Sequence, residues 1–238
     1  MISKGLLQAG ASVIITARKA DACREAAEEL SHFGACEAAP MDINEAGARA
    51  SLVERLGECG EGLDILVNNA GTAWGQEYEE YPVEAFDKVL HLNVTSVFAL
   101  TRDCTPLLER AATRRPPARV INIGSIDGMH IPVVHGVGTY AYTASKAAVH
   151  HLTRHLAVEL GPRGITVNAI APGFFPSRMT DSVFEQHGED IARNSLLGRA
   201  GEEADIAGTA VYLCARAGAY THGTVIPVDG GTLCNQRH

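Results

Sequence analysis

Short apolar, β-branched runs alternate with longer helical stretches along this chain, and that alternation constrains the fold more than any other feature. Residues 13–16, 37–41, 63–67, 119–123, 165–170 and 224–228 read as strands. Between them, residues 21–33, 44–56, 83–112, 142–160 and 202–213 carry helical periodicity, with Asn44 as the expected cap of the second. Residues 2–9 also read as helical, and Gly10 is placed to terminate them. Strands separated by helices of this length form a parallel sheet covered on both faces. Right-handed crossovers then leave a doubly wound α/β fold, Rossmann-like, as the expected architecture. No repeat, low-complexity tract or linker divides the 238 residues, so a single domain over 1–238 is expected.

Composition narrows the class. Hydrophobic residues make up 46% and charged residues 20%, an ordinary globular balance. The net charge of -8 argues against non-specific nucleic-acid binding. No apolar run reaches the roughly 20 residues that span a bilayer, so no membrane association is expected. The start is too broken at Gly10, and too β-branched after it, to read as a secretory leader. Six scattered cysteines (Cys23, Cys36, Cys59, Cys104, Cys214, Cys234) form no CxxC pair. They read as reduced thiols of a cytoplasmic protein, with no metal role.

The chemistry concentrates in Tyr142-Thr143-Ala144-Ser145-Lys146. A Tyr and a Lys four apart share one helix face, and a nearby ammonium favours the phenolate. A phenol tuned in this way is a general acid/base usable near neutral pH. Ser125 follows the apolar run Val120-Ile121-Asn122-Ile123, at the carboxyl end of a parallel strand, where open α/β sheets bind ligands. Its hydroxyl is placed to hold a substrate oxygen. Asn93 interrupts an apolar helix and is expected to open its backbone to a water that reaches Lys146. Arg18 follows the strand at 13–16, where an acid reads the ribose hydroxyls of NAD. Its planar cationic fork suits a 2′-phosphate instead, so NADP is the expected cofactor.

Asn68-Asn69-Ala70-Gly71, Asn93, Ser125, Tyr142-x-x-x-Lys146 and Pro172-Gly173 stand in the order and spacing of the short-chain dehydrogenases/reductases, which the chain resembles from Met1 to Gly231. Around residues 69–75 and 175–180 it is most similar to the 3-oxoacyl-carrier-protein reductases, especially the ketoacyl reductases of rhamnolipid synthesis. The resemblance implies a carbonyl reductase acting on a small-molecule ketone or alcohol. Tyr142 would be the acid, Ser125 would polarise the carbonyl, Lys146 would lower the Tyr142 pKa, and Asn93 would complete a proton relay. It also implies that Asn69, Ala70 and Gly71 line the adenosine side with Asp42 near the adenine. Tyr142, Lys146, Pro172, Gly173 and Ser177 would lie along the nicotinamide and pyrophosphate. A homodimer or homotetramer is expected from the surplus apolar positions of the helices at 83–112 and 142–160.

Two departures qualify the likeness. The family's first strand and TGxxxGxG loop have no counterpart, because residues 1–10 match the helix that follows that loop. The expectation is an N-terminally truncated domain whose strands at 13–16 and 63–67 must pair directly, borrow a strand, or leave a gap. It would bind NADPH weakly, and the alternative function is an inactive oligomer partner or scaffold. The stretch from Ser125 to Tyr142 is also longer than usual, with His130 and His135 in it. Trp74, Met129, Phe174, Phe175 and Met179 suggest an apolar mouth.

Overall fold

A computed structural model describes residues 1–58, 60, 62–114, 117–132, 137–177 and 180–235. The order is α1 (Ile2–Gln8), β1 (Val13–Ile15), α2 (Ala20–Ser31), β2 (Cys36–Ala38), α3 (Ala46–Glu58) and β3 (Ile65–Asn68). Then come α4 (Val83–Leu90), α5 (Ser96–Ala112), β4 (Ala118–Ile123), α6 (Tyr140–Leu160), β5 (Ile165–Pro172), α7 (Asp181–Asn194), α8 (Glu203–Cys214) and β6 (Val225–Val228). Every expected strand is present within a few residues, as is every expected helix except the single one at 83–112. Gly10 closes α1 with a φ of +91°, a conformation glycine adopts without penalty.

All strand pairs are parallel. β1 pairs with β2, and β3-β4-β5-β6 form a second sheet in that order. β1 and β3 do not pair with each other, and among the described residues no strand lies between them. Of the ways to close the gap, direct pairing therefore does not occur.

The four-stranded sheet is buried on both faces, as its near-continuous apolar strands require. Val120 and Ile121, adjacent on β4, point to opposite sides of the pleat. Val120 joins Leu100, Leu108, Leu156 and Val167 under α5 and α6. Ile121 joins Ile170, Phe175, Ile206 and Leu213 under α8. Phe175 is thus a core residue, not part of an apolar mouth, because it packs into the second cluster beside α8.

Three local readings are corrected. The stretch 83–112 is not one helix: a π-helical turn at His91–Thr95 separates α4 from α5. The Ser96 hydroxyl donates to the His91 carbonyl and to the Asn44 side chain. Asn44 does not cap α3, which begins at Ala46; its amide oxygen is held by Ser96 instead. Helix α7 has no counterpart among the expected elements.

Candidate active site

The carboxyl ends of β3, β4 and β5 lie along one edge of the sheet, because the strands are parallel and in register. That edge brings together the turn after β3 (Asn69–Thr72), the turn after β4 (Gly124–Gly128) and the segment after β5 (Gly173–Ser177). Helix α6 runs beneath it, with Tyr142 and Lys146 one turn apart on one face.

Ser125 is buried, and its hydroxyl accepts from the Asp127 backbone, capping the short 3₁₀ turn Ile126–Gly128. The Lys146 ammonium is buried too, 5.5 Å from the Tyr142 ring centre, and it donates to the Ile123 carbonyl at 2.8 Å. Burial without an anionic partner pushes the Lys146 pKa down to about 8.

In the protein alone, the Tyr142 pKa is raised from its ordinary value. Burial is the largest cause and the Asp127 carboxylate adds to it, while the neighbouring Ser125 hydroxyl pulls the other way. Lys146 is not among the causes of this shift; its ammonium is bonded to the Ile123 carbonyl and stands over the ring.

Asn93 sits in the π-helical turn, fully buried. Its amide bonds both ways with the Thr72 backbone, donating to the carbonyl and accepting from the N–H, each at 2.9 Å. It also donates to the Ser145 hydroxyl at 2.9 Å. These bonds make the side chain a clamp joining the turn after β3 to α6. The irregular helix that the sequence suggested is nonetheless present at this residue. Gly71 packs over the clamp: a Cβ there would lie 3.4 Å from the Asn93 amide oxygen and 3.6 Å from Lys146 Nζ.

The residues expected to meet a dinucleotide divide into two groups. Arg18, exposed and in no ion pair among the described residues, borders a cavity of about 410 Å³ with Asn44, Thr72, Asp87, Lys88, His91 and Leu92. Asn69 and Ala70 are exposed at the end of β3, while Asp42 accepts from the Asn44 backbone nearby in the chain. Pro172 ends β5, Gly173 bonds to the Val228 carbonyl, and the Ser177 and Thr180 hydroxyls bond each other. A free guanidinium at a cavity and partly open backbone along the strand ends suit a phosphorylated adenosine at one end. The buried Lys146 beside the half-buried Tyr142 suits a nicotinamide at the other. His135, Arg178 and Met179 lie outside the described residues.

Several contributors were not read from the sequence. Asn68 on β3 donates to Thr101 and to Asn122 on β4, and Asn122 donates to Thr153. This buried amide-hydroxyl ladder ties the sheet to α5 and α6. Its signal was an Asn at the same point of two adjacent apolar strands. Asp127, which was not read, stands beside the site 3.4 Å from His130, the loop histidine the sequence singled out. Burial raises the Asp127 pKa, against the pull of His130.

Comparison with known proteins agrees with this geometry. The family model described as enoyl-(acyl carrier protein) reductase matches residues 1–232. The chain belongs to the short-chain dehydrogenase/reductase family of oxidoreductases. It is 51% identical, over 97% of its length and 90% of the relative's, to the rhamnolipids biosynthesis 3-oxoacyl-[acyl-carrier-protein] reductase of Pseudomonas aeruginosa. It is 31% identical to the 3-oxoacyl-[acyl-carrier-protein] reductase of Aquifex aeolicus, with 97% and 90% covered. Among solved structures, the RhlG/NADP active-site complex of Pseudomonas aeruginosa superposes with a TM-score of 0.91 at 48% identity, covering 97% of this chain and 90% of that one. No helix among the described residues is long and apolar enough to cross a membrane.

Proposed function

We propose that this chain is an NADPH-dependent carbonyl reductase, with 3-oxoacyl thioesters as its substrate class. The observation that carries the reading is the meeting of Ser125, Tyr142 and Lys146 at the carboxyl edge of the sheet, with Asn93 clamping the adjoining turn. The names of the relatives in Pseudomonas and Aquifex, and the NADP in the Pseudomonas complex, support the cofactor and substrate. When bound, NADPH supplies the hydride.

The chain's residues do the rest. The Ser125 hydroxyl holds the carbonyl oxygen within reach of Tyr142. The half-buried phenol, its pKa raised above the ordinary value, is protonated at neutral pH and donates to the developing alkoxide. Lys146 is a single ammonium in a dry site, and its charge stabilises the phenolate left behind. Asn93 keeps the turn at Thr72 and helix α6 in register. Arg18 meets the 2′-phosphate, Asn69, Ala70, Gly71 and Asp42 surround the adenosine, and Pro172, Gly173 and Ser177 flank the nicotinamide half. Trp74, Met129 and Phe174 are part-exposed and form the apolar approach for an acyl chain.

Homo-oligomers fit the exposed apolar residues left on the two long helices, Phe98 on α5 and Val158 on α6. The enzyme works in the cytoplasm. The inactive-scaffold alternative is not favoured, since all four catalytic side chains are present.

The test is NADPH oxidation by this chain with an acetoacetyl thioester, a sugar-acid ketone and a steroid ketone. The thioester is expected to have a specificity constant about tenfold or more above the others. No ketone-dependent oxidation with any of the three would overturn the reading.

A further inference from the structure

His150 lies one turn beyond Lys146, so Tyr142, Lys146 and His150 form one stripe along α6. Its imidazole is 4% exposed, and its Nε2 is buried with no hydrogen-bond partner. The ring faces the turn that carries Ser125. A Cβ on Gly124 would lie 2.1 Å from Nε2 and 2.7 Å from Cδ2, and one on Gly128 would lie 2.9 Å from Cε1. Two glycines bracketing Ser125 therefore leave the space that the ring fills.

Helix α6 packs closely against that turn. Lys146 holds the Ile123 carbonyl just before it, and the Lys146–Ala147 backbone lies under Gly128, where a Cβ would come within 2.6 Å. The Gly124 N–H is bonded to Ile170 on β5. Between these points the imidazole edge packs against Gly124. An unpaired buried nitrogen is costly. Here Nε2 faces Gly124, so that edge of the ring contributes shape, while the Gly128 backbone hydrogen-bonds the ring.

From this packing we propose that His150 is a positioning residue for carbonyl reduction: its imidazole, fitted between Gly124 and Gly128, is the spacer that sets Ser125 against Tyr142. The inference rests on the assignment of Ser125 and Tyr142 to the chemistry. Enlarging the glycine or removing the ring should displace the Ser125 hydroxyl, and making both changes should bring it back.

The experiment is a double-mutant cycle of Gly124→Ala, His150→Ala and the pair, in the full chain. Turnover with an acetoacetyl thioester, NADPH affinity by fluorescence and thermal midpoint are measured for each, with Tyr142→Phe alongside. Each single change is expected to lower kcat about tenfold or more, since displacements near 1 Å are costly at a reacting centre. NADPH affinity should stay within about twofold, because neither residue is placed on the dinucleotide path. The pair should regain at least about threefold over Gly124→Ala, as coupled contacts do. Additive losses, or loss of NADPH binding in step with thermal stability, would overturn the inference while leaving the assignment intact. If Tyr142→Phe turned over like the parent, the assignment itself would fall, and the inference with it.

Discussion

Replacing Asn93 with alanine should cost this protein about 3 kcal/mol of stability and most of its turnover. The side chain makes three bonds of 2.9 Å, two with the Thr72 backbone and one with Ser145. Thr72 is half-buried, so water can re-satisfy its N–H and carbonyl in part. Each of those bonds is then worth about 1 kcal/mol, the usual net value. Ser145 is fully buried but keeps its own donation to the Tyr142 carbonyl, so only its acceptor is orphaned, at a further 1 kcal/mol or so. A domain with about 5–15 kcal/mol in total can survive that loss and still be measured. Urea unfolding followed by far-UV dichroism is the assay. The midpoint should fall with an unchanged slope, and kcat should fall further than stability alone requires, because Thr72 and α6 lose their common tie. A variant within about 0.5 kcal/mol of the parent, the range of an ordinary surface change, would refute the clamp.

Arg18→Asp should move the preference from NADPH toward NADH. A charge-assisted contact is worth roughly 1.5–3 kcal/mol, so the ratio of specificity constants should shift at least about tenfold, and a shift below threefold would contradict the 2′-phosphate role. Stability should fall in acid through His150. Burial first, and then the charges of Lys146 and Arg154, hold its pKa at about 4, against the ordinary 6.5. The unfolded chain therefore takes up a proton that the folded chain refuses. This group's contribution is complete above pH 6.5 and is lost as pH falls toward 4, by up to roughly 3 kcal/mol. His150→Leu should flatten that part of the stability profile, and an unchanged slope between pH 6.5 and 4 would show that His150 is not buried neutral.

The alternation of strands with helices and the Tyr142–Lys146 pair on α6 were legible because both rest on local periodicity. Val120 and Ile121 alternate as a two-sided strand must, and Tyr142 and Lys146 are separated by one helical turn. Asn93 was legible as an irregularity, since an amide in an apolar helix needs partners. Its partners were not, because Thr72 and Ser145 are distant in sequence and meet only through the fold. Phe175 misled for the same reason: a phenylalanine after a strand end suits a mouth or a core equally well, and Ile206 and Leu213 on α8 decide it. Lys146 was legible as a charge one turn from Tyr142, while the burial that raises the Tyr142 pKa in the protein alone was not. His150 carried no signal, as the space it fills is defined by the absence of side chains at Gly124 and Gly128.

The most direct test of the central claim is transfer of label from NADPH carrying deuterium on the nicotinamide ring to an acetoacetyl thioester, read by mass spectrometry of the 3-hydroxy product. The parent chain should place deuterium on the new carbinol carbon. Tyr142→Phe should bind NADPH as the parent does and form product at least about a thousandfold more slowly, the scale of losing a general acid in a preorganised site. Unlabelled product from the parent, or a Phe variant that keeps more than about a tenth of the rate, would contradict hydride transfer completed by the Tyr142 proton.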